Sequence, residues 1–315
     1  MYSIICKDNS QSEYRTVHFI MLSSKVEIVI TLLSLIGVVA GGNPADNERL
    51  GVYGPVPGLA PSPYYRLQVR EEGSDSWLDT FTLLTECTAD KFCNTTGLFN
   101  GLQGWSNSYL NFEMKEGVEV EVKITKLYGE AVTKAVVHLR EAVRSCEVRE
   151  GEVYLSLARP ALFAVDINGQ MDDQDTGKLP NNRGYYDGPP IHTLTIFANP
   201  FLSKPSLEDP GVEQVSPGEE APTDGPWHTL YFLPGLHDLG TAFRVHANRS
   251  YYIPGEAVVY GTMNNNNTWA DGHDIHIFGH GTLSGDKLPH PDYAGPDVDP
   301  NDYGTLNIVG KYRLS

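Results

Sequence analysis

Apolar and polar residues alternate in short runs along most of the chain. Tyr65, Leu67 and Val69 interleave with Arg66, Gln68 and Arg70, which is the period of two expected of a strand buried on one face. The segment 117–125 (GVEVEVKIT) alternates most regularly, and Phe112 and Met114 extend the pattern upstream. Trp77–Leu84, Ala135–Leu139, Val153–Leu157, Leu162–Ile167 and His192–Phe197 predict further strands, each bounded by turn-forming residues. No long stretch carries the 3.6-residue period of an amphipathic helix. Many short alternating strands between Gly- and Pro-containing turns predict a β-sandwich, here over residues 43–202.

The pattern changes after residue 202. Residues 203–226 hold five prolines and six acidic residues with few large apolar ones, which predicts an acidic, Pro-rich linker. From residue 227 to 315, strands of three to six residues recur at short intervals: Thr229–Leu233, Phe243–Val245, Ser250–Ile253, Ala257–Tyr260, Asp274–Phe278 and Gly304–Val309. Most are closed by Gly or Pro-Gly. That rhythm predicts a right-handed parallel β-helix, whose coils bury their apolar faces only by stacking; a plain β-meander would also fit the spacing. At roughly 20–30 residues per coil, the stretch after residue 227 accommodates about three or four coils.

The N-terminus reads differently. Ile28–Ala40 is an uncharged, mostly apolar run of 13 residues preceded by Lys25 and followed by Gly41 and Gly42. This is too short to span a bilayer, which takes about 20 residues, and it has the form of a secretory signal. Residues 1–42 are therefore expected to be a signal peptide with a polar upstream extension, Met21 being an alternative start. The expected location is outside the cell, with no membrane attachment once the signal is cleaved. Secretion gives meaning to three N-x-S/T sequons, at Asn94, Asn248 and Asn266. It also favours disulfides. Cys87 and Cys93 flank a short polar loop and form the expected bridge, which leaves Cys146 as a buried thiol or as the partner of a residue outside this chain.

Composition narrows the function classes. Lys and Arg total 23 of the 315 residues against 40 Asp and Glu, a formal charge of −17. A basic stripe for nucleic acid is not expected, and a polyanionic substrate is disfavoured. Phosphate loops, dinucleotide fingerprints and Ser-His-Asp elbows do not occur, and no Cys/His spacing suits zinc. No cofactor is expected.

Three segments carry a resemblance. His228–Asp238 (HTLYFLPGLHD), Ser250–Gly261 (SYYIPGEAVVYG) and Gly279–Gly285 (GHGTLSG) resemble the opening coils of pectinase-like β-helix glycosidases. Residues 105–124 (WSNSYLNFEMKEGVEVEVKI), together with Leu194–Leu202, resemble the N-terminal sandwich of glycoside hydrolase family 49. That family contains dextranases and isopullulanase, secreted enzymes with a sandwich fused to a β-helix. The resemblance spans about residues 63–310 and implies a polysaccharide hydrolase that inverts configuration at an α-glucan, acting as a monomer on a neutral polymer. Such chemistry needs two carboxyl groups roughly 6.5–9.5 Å apart, one kept protonated. In the families resembled, the catalytic Asp cluster lies several coils into the helix and includes an Asp-Asp pair. Here the pair Asp172-Asp173 lies in the sandwich part, in a polar loop that reads as a solvated turn, and Asp292, Asp297, Asp299 and Asp302 read as an acidic loop. No residue of this chain is therefore expected to be catalytic, and the helix is expected to be the first part of a longer one, with this chain inactive alone. Gly279-His280-Gly281 looks like the Gly-His-Gly of polygalacturonases but is followed by Thr-Leu-Ser-Gly, an early-coil pattern. His273, Asp274, His276 and His280 look like a metal cluster, but the odd spacing of His273 and His276 predicts opposite faces. Trp105, Trp227, Tyr251 and Tyr252 are candidates for stacking on sugar rings. Two other readings stay open on the sequence: a non-catalytic secreted carbohydrate-binding module, and a polygalacturonase-like pectinase.

Overall fold

A computed structural model describes residues 3–7, 49–86, 106–138, 142–169, 192–265, 273–287, 306–307 and 311–314. Regular structure among them is entirely β. The chain forms two units, one built from Ser3–Lys7, 49–53 and 60–200, the other from 54–59 and the residues from 201 onward.

The first unit is the sandwich. One sheet has the order β1 (Ser3–Lys7), β8 (Lys134–His138), β11 (Ala161–Ile167), β12 (Thr193–Asn199), β6 (Ser106–Met114) and β2 (Leu50–Val52), with β5 (Leu83–Glu86) also paired to β6. The other has the order β4 (Leu78–Asp79), β3 (Tyr65–Glu71), β7 (Val120–Lys126), β10 (Glu152–Leu157) and β9 (Val143–Arg149). All pairings are antiparallel except β12 with β6. The inward residues of both sheets share one core: Leu67, Val69, Val122, Ile124, Leu155 and Leu157 from the second sheet meet Leu110, Phe112, Val137, Phe163, Val165 and Ile196 from the first. The alternations of β3, β7 and β10 thus mark half-buried strands, while β6 is covered on both faces, with Asn111 and Glu113 buried as well as Phe112 and Met114. The predicted strand Trp77–Leu84 is instead split, because Thr80–Thr82 carry the chain from one sheet to the other: Thr80 N–H still donates to the Leu67 carbonyl of β3, while Leu83 pairs with Tyr109 of β6.

One expectation for this unit needs correction, that of a Cys146 thiol, and one strand forms where no strand was expected. Ser3–Lys7, within the segment expected to precede the signal, pairs as an edge strand with β8, Ile4 opposite Val137 and Cys6 opposite Ala135. Cys146 is not a thiol but disulfide-bonded, half-buried on β9, and its partner's side chain lies outside the described residues. Cys87 and Cys93 lie outside them too. Strand β9 (VRSCEVR) packs Val143, Cys146 and Val148 on the core, but a register shift between Cys146 and Val143 and its low apolar content leave no readable alternation.

The second unit is a parallel β-helix with three sheets. One contains β13 (Val212–Val215), β14 (Thr229–Phe232), β17 (Ser250–Tyr252), β20 (His273–Phe278) and β23 (Lys311–Leu314). The second contains β15 (Gly235–Asp238), β18 (Ala257–Tyr260) and β21 (Thr282–Ser284). The third contains β16 (Phe243–Arg244), β19 (Met263–Asn264) and β22 (Leu306–Asn307). Strands β14–β16, β17–β19 and β20–β22 make successive turns of the helix, so each Gly or Pro-Gly closing signal is a corner at which the chain enters the next sheet. The interior is a column of stacked side chains: Leu230, Tyr251 and Ile277 are in register, as are His237, Val259 and Leu283. The region expected to be a linker belongs to this unit. Val212–Val215 pairs with Thr229–Phe232, and Val215, Ala221 and Trp227 are core residues. Its few apolar residues suffice because β13 pairs with a neighbour on one side only.

Candidate functional site

Glycosidic chemistry on a β-helix would be carried by side chains that point outward from its sheets. On the first sheet these are Tyr231, Tyr252 and Phe278, in register on adjacent coils with ring centroids 4.7 and 5.0 Å apart. His276 stacks on Phe278 at 4.4 Å. Tyr231 and Tyr252 are 9 % and 3 % exposed, so this ladder packs coil to coil and offers little ring surface to a sugar. Trp227 and Tyr251, expected as stacking platforms, are interior instead: Tyr251 is one of the inward column, and Trp227 lies at 6.0 Å from its ring with the Arg249 guanidinium 4.0 Å over the indole. An alternation of period two cannot tell the inside of a coil from an outside that is itself covered, which is why Trp227, Tyr251 and Tyr252 read alike in the sequence. Trp105 lies outside the described residues.

The outward face of the second sheet carries Asp238, Tyr260 and Ser284 in register. Lys287 Nζ lies 2.8 Å from Asp238 Oδ2 and 4.6 Å over the Tyr260 ring. The hydrogen bond from Lys287, and a second from the Gly240 N–H, hold the Asp238 carboxyl below its usual range. A general acid needs the opposite shift. Asp238 is thus built as an ion-pair partner that ties two coils together.

The two motifs singled out as decoys have structural reasons. Gly279 has φ +123°, and a Cβ there would sit 2.6 Å from the Ile253 carbonyl carbon of the coil below. A Cβ on Gly281 would overlap Ile253 and Pro254, and the Gly281 N–H donates to Ile253 O at 2.9 Å. The glycines let two coils touch, and His280 between them is 1 % exposed. In the histidine cluster, Ile275 and Ile277 face inward, as predicted, and His276 faces out. His273 does not point to the opposite face. Asp274 has φ +52° and the register slips between His273 and Ile275, so the local bulge turns both His273 and Asp274 to solvent, with His273 Nδ1 3.2 Å from Asp274 Oδ2. Among the described residues no group of three or more His, Cys, Asp or Glu could hold a metal ion, and no helix is long and apolar enough to cross a membrane.

Of the sequons, Asn248 is described. It is exposed on a turn with φ +59°, its N–H bonded to His273 O at 3.1 Å. Asn94, Asn266, the Asp172-Asp173 pair and the acidic loop with Asp292, Asp297, Asp299 and Asp302 lie outside the described residues.

The sandwich carries an aromatic cluster of its own that the alternation does not single out. On the outer face of its five-stranded sheet, Trp77 lies over the cations Arg70 and Lys123, at 4.3 and 5.1 Å from its ring centroid, with its edge toward Tyr154 at 6.3 Å. What the alternation does show is the face it lies on, since the residues between the apolar ones of β3, β7 and β10 line a single face.

No family model and no curated protein matches the chain. Among solved structures, Dex49A from Penicillium minioluteum, a family 49 dextranase, matches with a TM-score of 0.52 and 19 % identity. The match covers 74 % of this chain and 48 % of Dex49A, so this chain spans about half the length of that enzyme. What the two share is the fold, which in this chain is a β-sandwich followed by a parallel β-helix.

Proposed function

We propose that this chain is the N-terminal part of a secreted polysaccharide hydrolase of dextranase type, which cleaves an α-glucan with inversion. The observation that carries the reading is the order of units, sandwich then parallel β-helix, shared with Dex49A over 74 % of the chain. The negative charge of −17 supports a neutral polymer over polygalacturonate or nucleic acid. Asp238, whose carboxyl Lys287 holds below its usual range, is unsuited to be the general acid, and on this reading other residues supply it. On this reading the chain alone is inactive and monomeric, is released outside the cell after loss of its signal, which takes the edge strand Ser3–Lys7 with it and leaves β8 at the edge of its sheet, is not held to a membrane once the signal is cleaved, and carries N-glycans at Asn94, Asn248 and Asn266.

The test is to express this chain and the longest open reading frame that contains it through a secretory pathway. Reducing-sugar release from dextran and pullulan is then measured, with the anomer of the first product read by NMR. The longer product is expected to hydrolyse one of these glucans with inversion and this chain to hydrolyse neither. Hydrolysis by this chain alone refutes the claim of inactivity, and activity of the longer product on polygalacturonate alone refutes the substrate class. N-terminal sequencing of the secreted material tests cleavage near Gly42, and endoglycosidase treatment with mass measurement counts the glycans.

A further inference from the structure

The outer face of the five-stranded sheet has the make-up of a binding surface. Arg66, Gln68 and Arg70 of β3, Glu121 and Lys123 of β7, and Glu152 and Tyr154 of β10 all project from it, since the alternate residues of these strands fill the core. Gln68 is opposite Lys123, and Lys123 is opposite Tyr154, so the face runs unbroken over three strands. Trp77 enters from the β3–β4 turn and lies across it. Arg70 and Lys123 are rooted in adjacent strands of this sheet, and the indole they hold is only half-buried, so part of its surface remains open to solvent. Two cation–π contacts and an edge contact to Tyr154 fix the ring's orientation before any ligand arrives.

The polar groups around the indole are held as firmly. Arg70 pairs with Glu121 at 2.6 Å, Arg66 with Asp79 at 2.7 Å, and Glu152 accepts from Thr125 Oγ1 at 2.5 Å and from the Tyr154 hydroxyl at 2.9 Å. Two of the cations are thus matched by ion pairs, and Lys123 and Glu152 add one charge of each sign, so this face carries no net charge in a chain whose net charge is −17. An ionic ligand meets no unmatched field there. An uncharged polyol meets ordered donors and acceptors beside a flat apolar ring, the combination that recognises the C–H face and hydroxyl rim of a pyranose.

We propose that this face of the sandwich binds a neutral polysaccharide, with Trp77 as the stacking platform and Tyr154, Glu152 and Lys123 as the polar rim. The site would hold the enzyme on its polymer from a unit that carries no chemistry, and its existence does not depend on whether the chain is part of a hydrolase.

The test is native affinity electrophoresis of the full 315-residue chain in gels cast with dextran, pullulan or polygalacturonate, beside polysaccharide-free gels. Retardation by dextran or pullulan is expected, with Trp77→Ala weakening it about ten-fold, as the loss of one aromatic stacking contact implies. Glu152→Gln, which keeps the shape of the side chain, is expected to weaken it several-fold and guards against a folding defect in the tryptophan variant. The proposal is overturned if the wild-type chain runs unretarded in both glucans, if only polygalacturonate retards it, or if both variants are retarded as strongly as wild type. Binding is read here without turnover, whereas the hydrolase reading is tested by reducing-sugar release, so either can fail while the other stands.

Discussion

Replacing Gly279 with alanine should separate two coils of the helix. The residue has φ +123°, where an L side chain is strained by about 1–3 kcal/mol. The added Cβ would also stand 2.6 Å from the Ile253 carbonyl carbon and 2.9 Å from its nitrogen. Backbone is on both sides of this contact, so no side-chain rotation relieves it, and the coils must part. Two inter-coil bonds flank the contact, Ile253 N–H to Phe278 O and Gly281 N–H to Ile253 O, each 2.9 Å. Weakening both removes about 1 kcal/mol apiece. The total expected loss is about 3–5 kcal/mol. Gly218→Ala is the control: φ is +81°, but nothing lies within 4 Å of the new Cβ, so the expected loss is about 1 kcal/mol. With a urea m-value of about 1–3 kcal/mol/M, the two variants should differ by roughly 1 M or more in unfolding midpoint. Hydrogen exchange read by mass spectrometry should show faster exchange in peptides spanning 250–260 and 273–284 and no change in 120–126 of the sandwich. Equal midpoints for the two variants, or equal acceleration in both units, would refute the argument that these glycines exist for coil contact.

Other outcomes follow from single buried groups. Tyr251 is fully buried and its hydroxyl accepts the His246 N–H at 3.0 Å. Tyr251→Phe orphans that donor and should cost about 1–3 kcal/mol in thermal or chemical denaturation, and an unchanged melting temperature would mean that water replaces the hydroxyl. His237 is turned into the column between coils, with Nε2 2.7 Å from the Leu233 carbonyl. Burial lowers its pKa, partly opposed by that hydrogen bond, so the unfolded chain takes up the proton more readily than the folded one. Stability should be full above about pH 6.5 and fall as the pH drops below it. His192, whose pKa is lowered by burial and by Lys126, adds to the loss with the same sign. His237→Gln should flatten the dependence of melting temperature on pH between about 7.5 and 5, and a profile parallel to wild type would assign the acid loss elsewhere.

How much of this was legible beforehand follows from what each signal measures. Alternation with a period of two reports that one face of a strand is covered, so β3, β6, β7, β10, β11 and β12 could be read directly, and with them the sandwich. Short strands punctuated by Gly and Pro-Gly report corners, so the helix could be read as well. Strands with little apolar content, β9 and β13, escaped because their place comes from pairing to a neighbour, a contact distant in sequence. Ser3–Lys7 and the disulfide at Cys146 escaped for the same reason.

The order of residues alone thus settles the class of fold, the order of its two units, and the identity of most inward side chains, because burial of apolar surface acts on local pattern. It does not settle which covered faces meet solvent. Trp227 and Tyr251 on one hand and Trp77 on the other are aromatic residues beside turns, indistinguishable by pattern. Stacking of coils takes the first two inside, while two cations on adjacent strands hold Trp77 flat on the outside of a sheet. That difference rests on which strands become neighbours, and strand neighbours are chosen by the packing of the whole core.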